Sequence, residues 1–244
     1  MLGLILVSLT TFFIFIYISL VYLPIIAMKN EEEGVLLARK KLKFLCQWIL
    51  KSLAVDLSVE YKDFEAIDSL DRKKGIIFVC NHQSNLDIPA VTSALYADIG
   101  FVAKKEMESW PFFSIWMKRS KCVFLDRSNP KAGIKSIREA VDLIKKGYPI
   151  VIFPEGERSL DGTILPFKKG SFKLATETQG VIIPITLKGT YGIQKRGKWC
   201  MKRHQKVTVV IDRPIHVDEL SREEIKNLST TVRDIIARNY EEIK

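Results

Sequence analysis

Residues Met1 to Met28 carry no charged side chain, and Leu, Ile, Phe and Val dominate the run. As a helix rising about 1.5 Å per residue it is about 40 Å long, against about 30 Å for the hydrocarbon core of a bilayer. So many consecutive apolar side chains need lipid or an unusually large protein core. A cleaved secretory leader is a poor match: no basic segment opens the run, its apolar part exceeds the usual ~7–15 residues, and no small-residue cleavage pattern follows. A membrane-inserted helix is expected. Pro24 lacks an N–H and crowds the preceding turn, so the helix is expected to end or kink there.

A polar segment, Lys29 to Gly34, leads to a second helical pattern, Val35 to Leu57. Leu42, Leu45, Ile49 and Leu53 recur at spacings of three and four beside Trp48, and Arg39, Lys40, Lys41, Lys43 and Lys51 occupy the rest. A basic amphipathic helix suits an anionic bilayer surface; it also suits a solvated face packed on a domain. Two topologies fit. The first helix spans, with the basic cluster holding its C-terminal side in the cytoplasm, or the two helices form a hairpin dipping into one leaflet. Both divide the chain into a two-helix membrane anchor, residues 1–58, and a domain, residues 59–244, on the cytoplasmic face of the cell's inner membrane.

The chain of 244 residues has 38 Lys and Arg against 28 Asp and Glu, a net charge of +10. That balance points to an anionic partner: a nucleic acid, an acidic lipid surface or a phosphorylated substrate. No aromatic-basic motif or nucleic-acid module is present, which argues against nucleic acid. The four cysteines, at 46, 80, 122 and 200, form no CxxC pair, so a zinc ribbon or a thioredoxin-type centre is not indicated. Beyond residue 58, strand-like and helix-like stretches alternate. Strands are expected at Leu57–Tyr61, Ile76–Cys80, Ile99–Ala103, Cys122–Leu125, Ile150–Phe153, Val181–Leu187 and Val207–Ile211. Helices are expected at Ile88–Ala97, Trp110–Met117, Lys131–Lys146 and Ser171–Thr178, with a last one opening on the capping-box pattern Ser221 to Glu224. The alternation implies an α/β fold: a mixed, mostly parallel sheet flanked by helices. Ligands of such sheets gather beyond the carboxyl ends of the strands.

Chemistry-bearing residues crowd those ends. Ile76–Cys80 runs into Asn81-His82-Gln83-Ser84-Asn85-Leu86-Asp87. Five residues separate His82 from Asp87, close enough for the carboxylate to fix one imidazole nitrogen and leave the other as a general base. Asp87 before Ile88-Pro89 also reads as a helix N-cap. A second end reads Phe153-Pro154-Glu155-Gly156-Glu157-Arg158-Ser159, with a guanidinium suited to phosphate and a glycine that admits close backbone approach. Lys104 and Lys105 follow another strand, and Asp126-Arg127 a fourth. If the strands are parallel, Lys104, Lys105, Arg127 and Arg158 share one edge with His82. His204 and His216 read as solvated or structural. A hydrolase with His82, Asp87 and Glu155 around a metal is a further reading, although no typical ligand spacing is present.

Together these segments resemble the glycerolipid acyltransferase family. Asn81 to Asp87 is similar to its NHxxxxD block, Phe124 to Arg127 to its second block, Phe153 to Ser159 to its FPEGTRS block, and Ile183-Pro184-Ile185 to its fourth, all in family order. Within the family the wording is most similar to the bacterial 1-acyl-sn-glycerol-3-phosphate acyltransferases. The resemblance implies that His82 is the catalytic base and Asp87 its orienting carboxylate. It implies that Lys105, Arg127, Glu155, Gly156 and Arg158 bind the glycerol-phosphate acceptor and that Pro184 belongs to the acyl-donor block. Glu157 departs from the family threonine and is expected to face outward or pair with a base. The implied substrates are lysophosphatidic acid from the membrane and acyl-CoA or acyl carrier protein from the cytosol. No metal, no resident cofactor and no acyl-enzyme on Ser84 are expected. The stretch Lys188 to Lys206 holds Lys188, Lys195, Arg196, Lys198, Lys202, Arg203 and Lys206, without an acidic residue and around Trp199. It is expected to lean on anionic headgroups or on the donor's phosphates.

Overall fold

The computed structural model describes residues 2–126, 130–198 and 200–243. Two long helices open the chain, α1 (Leu2–Met28) and α2 (Glu31–Ser52), followed by β1 (Asp56–Tyr61), α3 (Phe64–Asp68), β2 (Ile76–Cys80), α4 (Asp87–Ala94), β3 (Gly100–Lys104) and α5 (Phe113–Arg119). Then come β4 (Val123–Leu125), α6 (Pro130–Lys145), β5 (Ile150–Ile152), α7 (Lys173–Thr178), β6 (Val181–Lys188), α8 (Thr190–Ile193), β7 (Lys206–Ile211), β8 (Ile215–His216) and α9 (Arg222–Glu242). The strands form one sheet in the order β1-β7-β6-β2-β5-β3-β4, with β8 also on β6. Neighbours are parallel, except that β7 and β8 run antiparallel to β6. The expected mixed, mostly parallel α/β fold is therefore observed.

Period-two alternation builds the two faces of the core. In β2, Ile76, Phe78 and Cys80 join the apolar layer beneath α2 and α4, while Ile77 and Val79 join the layer beneath α6, α7 and α9. Pro184 lies inside β6, where its missing N–H should break the ladder. Its carbonyl accepts from Asp212 N–H at 2.9 Å. The N–H that its ring lacks would point to the same edge, where β7 ends opposite Ile185 and β8 begins opposite Ile182. The proline thus falls at the change of partner, in the buried middle of the strand.

The helical hairpin is fused to this body. Ile18 and Ile26 of α1, Ala38 and Leu45 of α2, and Trp116 of α5 share a buried cluster. Trp116 Nε1 donates to Ser19 Oγ at 2.8 Å, which gives the uncharged helix a polar tie to the domain. The opposite face, including Leu6, Leu9, Phe12, Phe13, Tyr17 and Leu20, is exposed. Pro24 does not end the helix, which continues to Met28, because Ile18 and Ile26 on either side are held in one cluster. The second helix starts at Glu31 rather than Val35: Asn30 caps Glu33 N–H, and three glutamates occupy the positive first turn. It stops at Ser52, and the sheet begins at Asp56, so the division at residue 58 falls inside β1.

The basic face expected on α2 is only partly free. Arg39 is buried, with Nε donating to the Ser120 carbonyl at 3.0 Å and an Nη to that of Asp98 at 2.8 Å. Burial lowers its pKa to about 10. Lys43 donates to the Leu95 carbonyl at 2.6 Å. Both cations serve strand and helix ends of the domain rather than lipid. At the other end of the hairpin the backbone N–H of His204 donates to the Leu53 carbonyl. Since β1 runs parallel to β7, and β7 antiparallel to β6, the C-terminal end of α2 lies at the sheet edge where β2 and β6 end. Antiparallel packing brings the N-terminal turns of α1 to the same edge, where Val7 joins the core layer that holds Leu53.

Candidate active site

The loop Asn81–Leu86 leaves β2 at that edge. Asp87 is fully buried, and its Oδ2 accepts from His82 Nδ1 at 2.7 Å and from the N–H groups of Gln83 and Ser84 at 2.6 and 2.9 Å. It is not the helix N-cap, a position held by Leu86 without a side-chain bond; the carboxylate turns back to gather its own loop. A carboxylate oxygen only accepts, so Nδ1 carries a hydrogen, and in the neutral ring Nε2 is then the nitrogen with the lone pair. Among the described residues Nε2 has no partner, and the imidazole is 18% exposed. Its ring stacks on Phe153, with centroids 4.2 Å apart and planes at 22°. Ser84 is buried, donates to the Gln194 carbonyl at 2.9 Å and acts as a turn hydroxyl, as expected.

The loop after β5 clasps the histidine's backbone. Glu155 Oε1 accepts His82 N–H at 2.6 Å, and Ser159 N–H donates to the His82 carbonyl at 2.9 Å. The other Glu155 oxygen accepts Leu165 N–H at 2.9 Å. Both oxygens are therefore engaged inside the protein, and burial pushes the carboxyl pKa up to about 7 against the pull of those two bonds. Gly156 has a φ of +79°, a left-handed conformation that favours glycine, and the flexible end of Lys168 lies over it, where a Cβ would displace it. Glu157 faces outward and pairs with Arg196 at 2.8 Å, as expected; that pairing, with Lys168 and Lys104 nearby, holds its pKa below the usual value. Arg158, half-buried beside the clasp, has no ion-pair partner among the described residues.

The parallel run of β2, β5, β3 and β4 brings Lys104, Lys105 and Arg158 to the edge that bears His82. Lys105, however, stands exposed on the turn after β3 and is paired with Glu108. Arg127 and Trp199 lie outside the described residues. Of the basic stretch, Lys188 donates to the Tyr240 and Ile243 carbonyls, and Arg196 is held by Glu157 and the Arg158 carbonyl. Lys195, Lys198, Lys202, Arg203 and Lys206 remain exposed. His204 is exposed in this loop, and His216 lies in β8.

Two residues at this edge escaped the sequence reading of roles. Asn81 is buried and stitches β2 to β6, donating to the Leu187 carbonyl and accepting its N–H, both at 2.8 Å. Thr190, the first residue after the turn that ends β6, donates its hydroxyl to Asp87 Oδ1. An apolar cavity of about 270 Å³ opens behind the site between β3, β4, β5, α6 and α7. Val102, Val123, Ile137, Ala140 and Leu174 line it, Phe153 separates it from His82, and Gly156 and Lys168 stand at its polar end.

A partly exposed imidazole bonded to a buried carboxylate, with an apolar recess on the far side of Phe153, thus sits at the carboxyl edge of a mixed α/β sheet. The chain belongs to the acyltransferase family, whose model, described as Acyltransferase, matches residues 62–188. It is similar to the 1-acyl-sn-glycerol-3-phosphate acyltransferase of Limnanthes douglasii, 36% identical over 170 residues that cover 68% of this chain and 59% of that protein. It is also similar to a probable enzyme of the same name from Mycoplasma pneumoniae, 31% identical over 69% of this chain and 67% of that one. The crystal structure of the 1-acyl-sn-glycerophosphate acyltransferase PlsC from Thermotoga maritima superposes with a TM-score of 0.77 at 30% identity, covering 96% of this chain and 95% of that one. The matched part spans from about half to two-thirds of the length of the curated relatives.

Proposed function

We propose that this chain transfers a fatty acyl group from a thioester, acyl-CoA or acyl carrier protein, to the sn-2 hydroxyl of 1-acyl-sn-glycerol 3-phosphate, forming phosphatidic acid. The observation that carries the reading is the unpartnered Nε2 of the partly exposed His82, whose ring is held by Asp87 and whose backbone is clasped by the Glu155 loop. An alcohol is a weak nucleophile at neutral pH. His82 takes its proton as the oxygen attacks the thioester carbonyl, and the imidazolium returns a proton to the leaving thiolate; such help is worth about 10²–10⁴-fold. Arg158, with Arg127, is the anion-binding group for the acceptor's phosphate, while Glu155 and Gly156 shape the loop that presents it. The apolar recess takes an acyl chain. The chemistry asks for no metal, resident cofactor or covalent enzyme intermediate, so activity is expected to survive a chelator.

The setting fits this reaction. The exposed apolar face of α1 suits one leaflet of the bilayer, and its Trp116 tie and shared cluster favour a hairpin lying in the cytoplasmic leaflet over a helix that leaves the domain to span. The N-terminal turns of α1 sit at the site's edge, so the acceptor reaches His82 from the bilayer while the donor arrives from the cytosol. The five exposed basic residues of 195–206 meet anionic headgroups or the donor's phosphates.

The test is purified full-length chain in phospholipid vesicles with a labelled acyl-CoA and a panel of acceptors: lysophosphatidic acid, glycerol 3-phosphate and a lysophospholipid. Transfer to lysophosphatidic acid, lost in His82→Ala with folding intact, is the expected result. Preference for another acceptor would move the chain to a sister activity, and full turnover by His82→Ala would refute the base.

A further inference from the structure

We propose that Thr190 is a third member of the His82–Asp87 arrangement, a positioning residue that fixes the carboxylate's rotation and through it the aim of the imidazole. The proposal rests on the acyl-transfer reading only for its kinetic consequence; its geometric content stands alone.

The two oxygens of Asp87 are served unequally. Oδ2 takes three donors, from His82, Gln83 and Ser84, all in the loop that the carboxylate is meant to steady. Oδ1 takes one side-chain hydroxyl, that of Thr190, 103 positions away at the end of another strand. The donors on Oδ2 move with the histidine and cannot fix its position relative to the sheet. Thr190 can, because it belongs to the frame. Asn81 ties its own strand end to Leu187 on the strand that delivers Thr190. Gly189, at a φ of +107°, makes the turn between them; a Cβ there would fall 2.2 Å from the Lys206 carbonyl oxygen. Thr190 and Asp87 are both fully buried, so no solvent is at hand to replace the hydroxyl. A buried carboxylate oxygen without its donor is costly to leave, and the cheapest relief is rotation about Cβ–Cγ. That rotation pulls Oδ2 off Nδ1 and loosens the orientation of Nε2.

The charged and titratable neighbours of the pair come from the elements around it. They are Glu155 from the loop after β5, whose oxygen holds the His82 backbone, and Cys80 from the end of β2. Neither reaches Oδ1, so the Thr190 hydroxyl has no substitute among the described residues.

The experiment compares Thr190→Val, which keeps the shape and loses the hydroxyl, with Thr190→Ser, which keeps the hydroxyl, in the full chain reconstituted in vesicles with acyl-CoA and lysophosphatidic acid. A second reading is the downfield proton resonance of the Nδ1–H bonded to Asp87, assigned by its loss in His82→Ala. For Thr190→Val, kcat is expected to fall by about 10- to 100-fold, the scale of one lost hydrogen bond to a charged group. Both KM values should stay within about twofold, and the resonance should shift or broaden. Thr190→Ser should restore both readings. An unmoved resonance in Thr190→Val, or a Thr190→Ser variant as impaired as the valine, overturns the proposal. If Thr190→Val does not fold, Thr190→Ala provides the same comparison without added bulk. Absence of transfer to any acceptor by the wild type would sink the acyl-transfer reading instead, and the resonance would still judge Thr190.

Discussion

Glu155→Gln separates the two costs carried by one buried side chain. Glu155 is 3% exposed and accepts two backbone N–H groups, at 2.6 and 2.9 Å. Burial, with a smaller contribution from Asp87, raises its pKa from the usual 4.5 to about 7. Between those values the folded protein holds a proton that the unfolded chain has lost. Glu155 therefore favours folding most below pH 4.5, and that contribution is lost as pH rises through about 7, by about 3 kcal/mol at about 1.4 kcal/mol per unit. Glutamine does not titrate, and its amide NH₂ must face one of the two N–H donors, a loss of about 1–3 kcal/mol at every pH. The variant should melt below the wild type at pH 5, and the gap should close or reverse by pH 8. For a chain of this size about 3 kcal/mol corresponds to roughly 6–12 °C in Tm. Melting of both proteins in detergent micelles, followed by circular dichroism at pH 5, 6, 7 and 8, gives the comparison. A wild-type-to-variant gap independent of pH would refute the argument.

Further outcomes are equally direct. Trp116→Phe keeps the buried ring but drops the bond to Ser19; it should cost about 1 kcal/mol and speed amide exchange in α1 while kcat stays unchanged, and undisturbed exchange would mean that the tie holds nothing. Ala140→Phe fills the cavity behind Phe153 and should shift donor preference toward shorter acyl chains in a competition assay; an unshifted preference would show that the recess does not receive the chain.

What the sequence could disclose depended on how local the cause was. The seven expected strands all form, because short Val- and Ile-rich runs, buried at nearly every position in β2, β5 and β6, mark strands within a few residues. The start of α2 was hidden because Glu31–Glu33 read as a linker, although acidic residues after Asn30 are a first-turn signature. Arg39 and Lys43 read as surface charge because their carbonyl partners lie 81 and 52 residues away. The His82–Asp87 contact was legible from a five-residue spacing, whereas the competing cap reading of Asp87 failed once three donors claimed its Oδ2. Thr190 left no local mark: a threonine after a glycine at a strand end is ordinary until the fold sets it against Asp87. Lys105 shows the converse, since its proximity along the chain to a strand end did not prevent Glu108 from claiming it.

Fastening α1 to the domain through Ile18, Ile26 and Ser19 leaves no slack tether between lipid and site. A protein bound this way explores its acceptor as a molecule confined to a plane. Its turnover should follow the acceptor's mole fraction in the bilayer, falling when inert lipid is added even though the amount per millilitre of suspension is held constant.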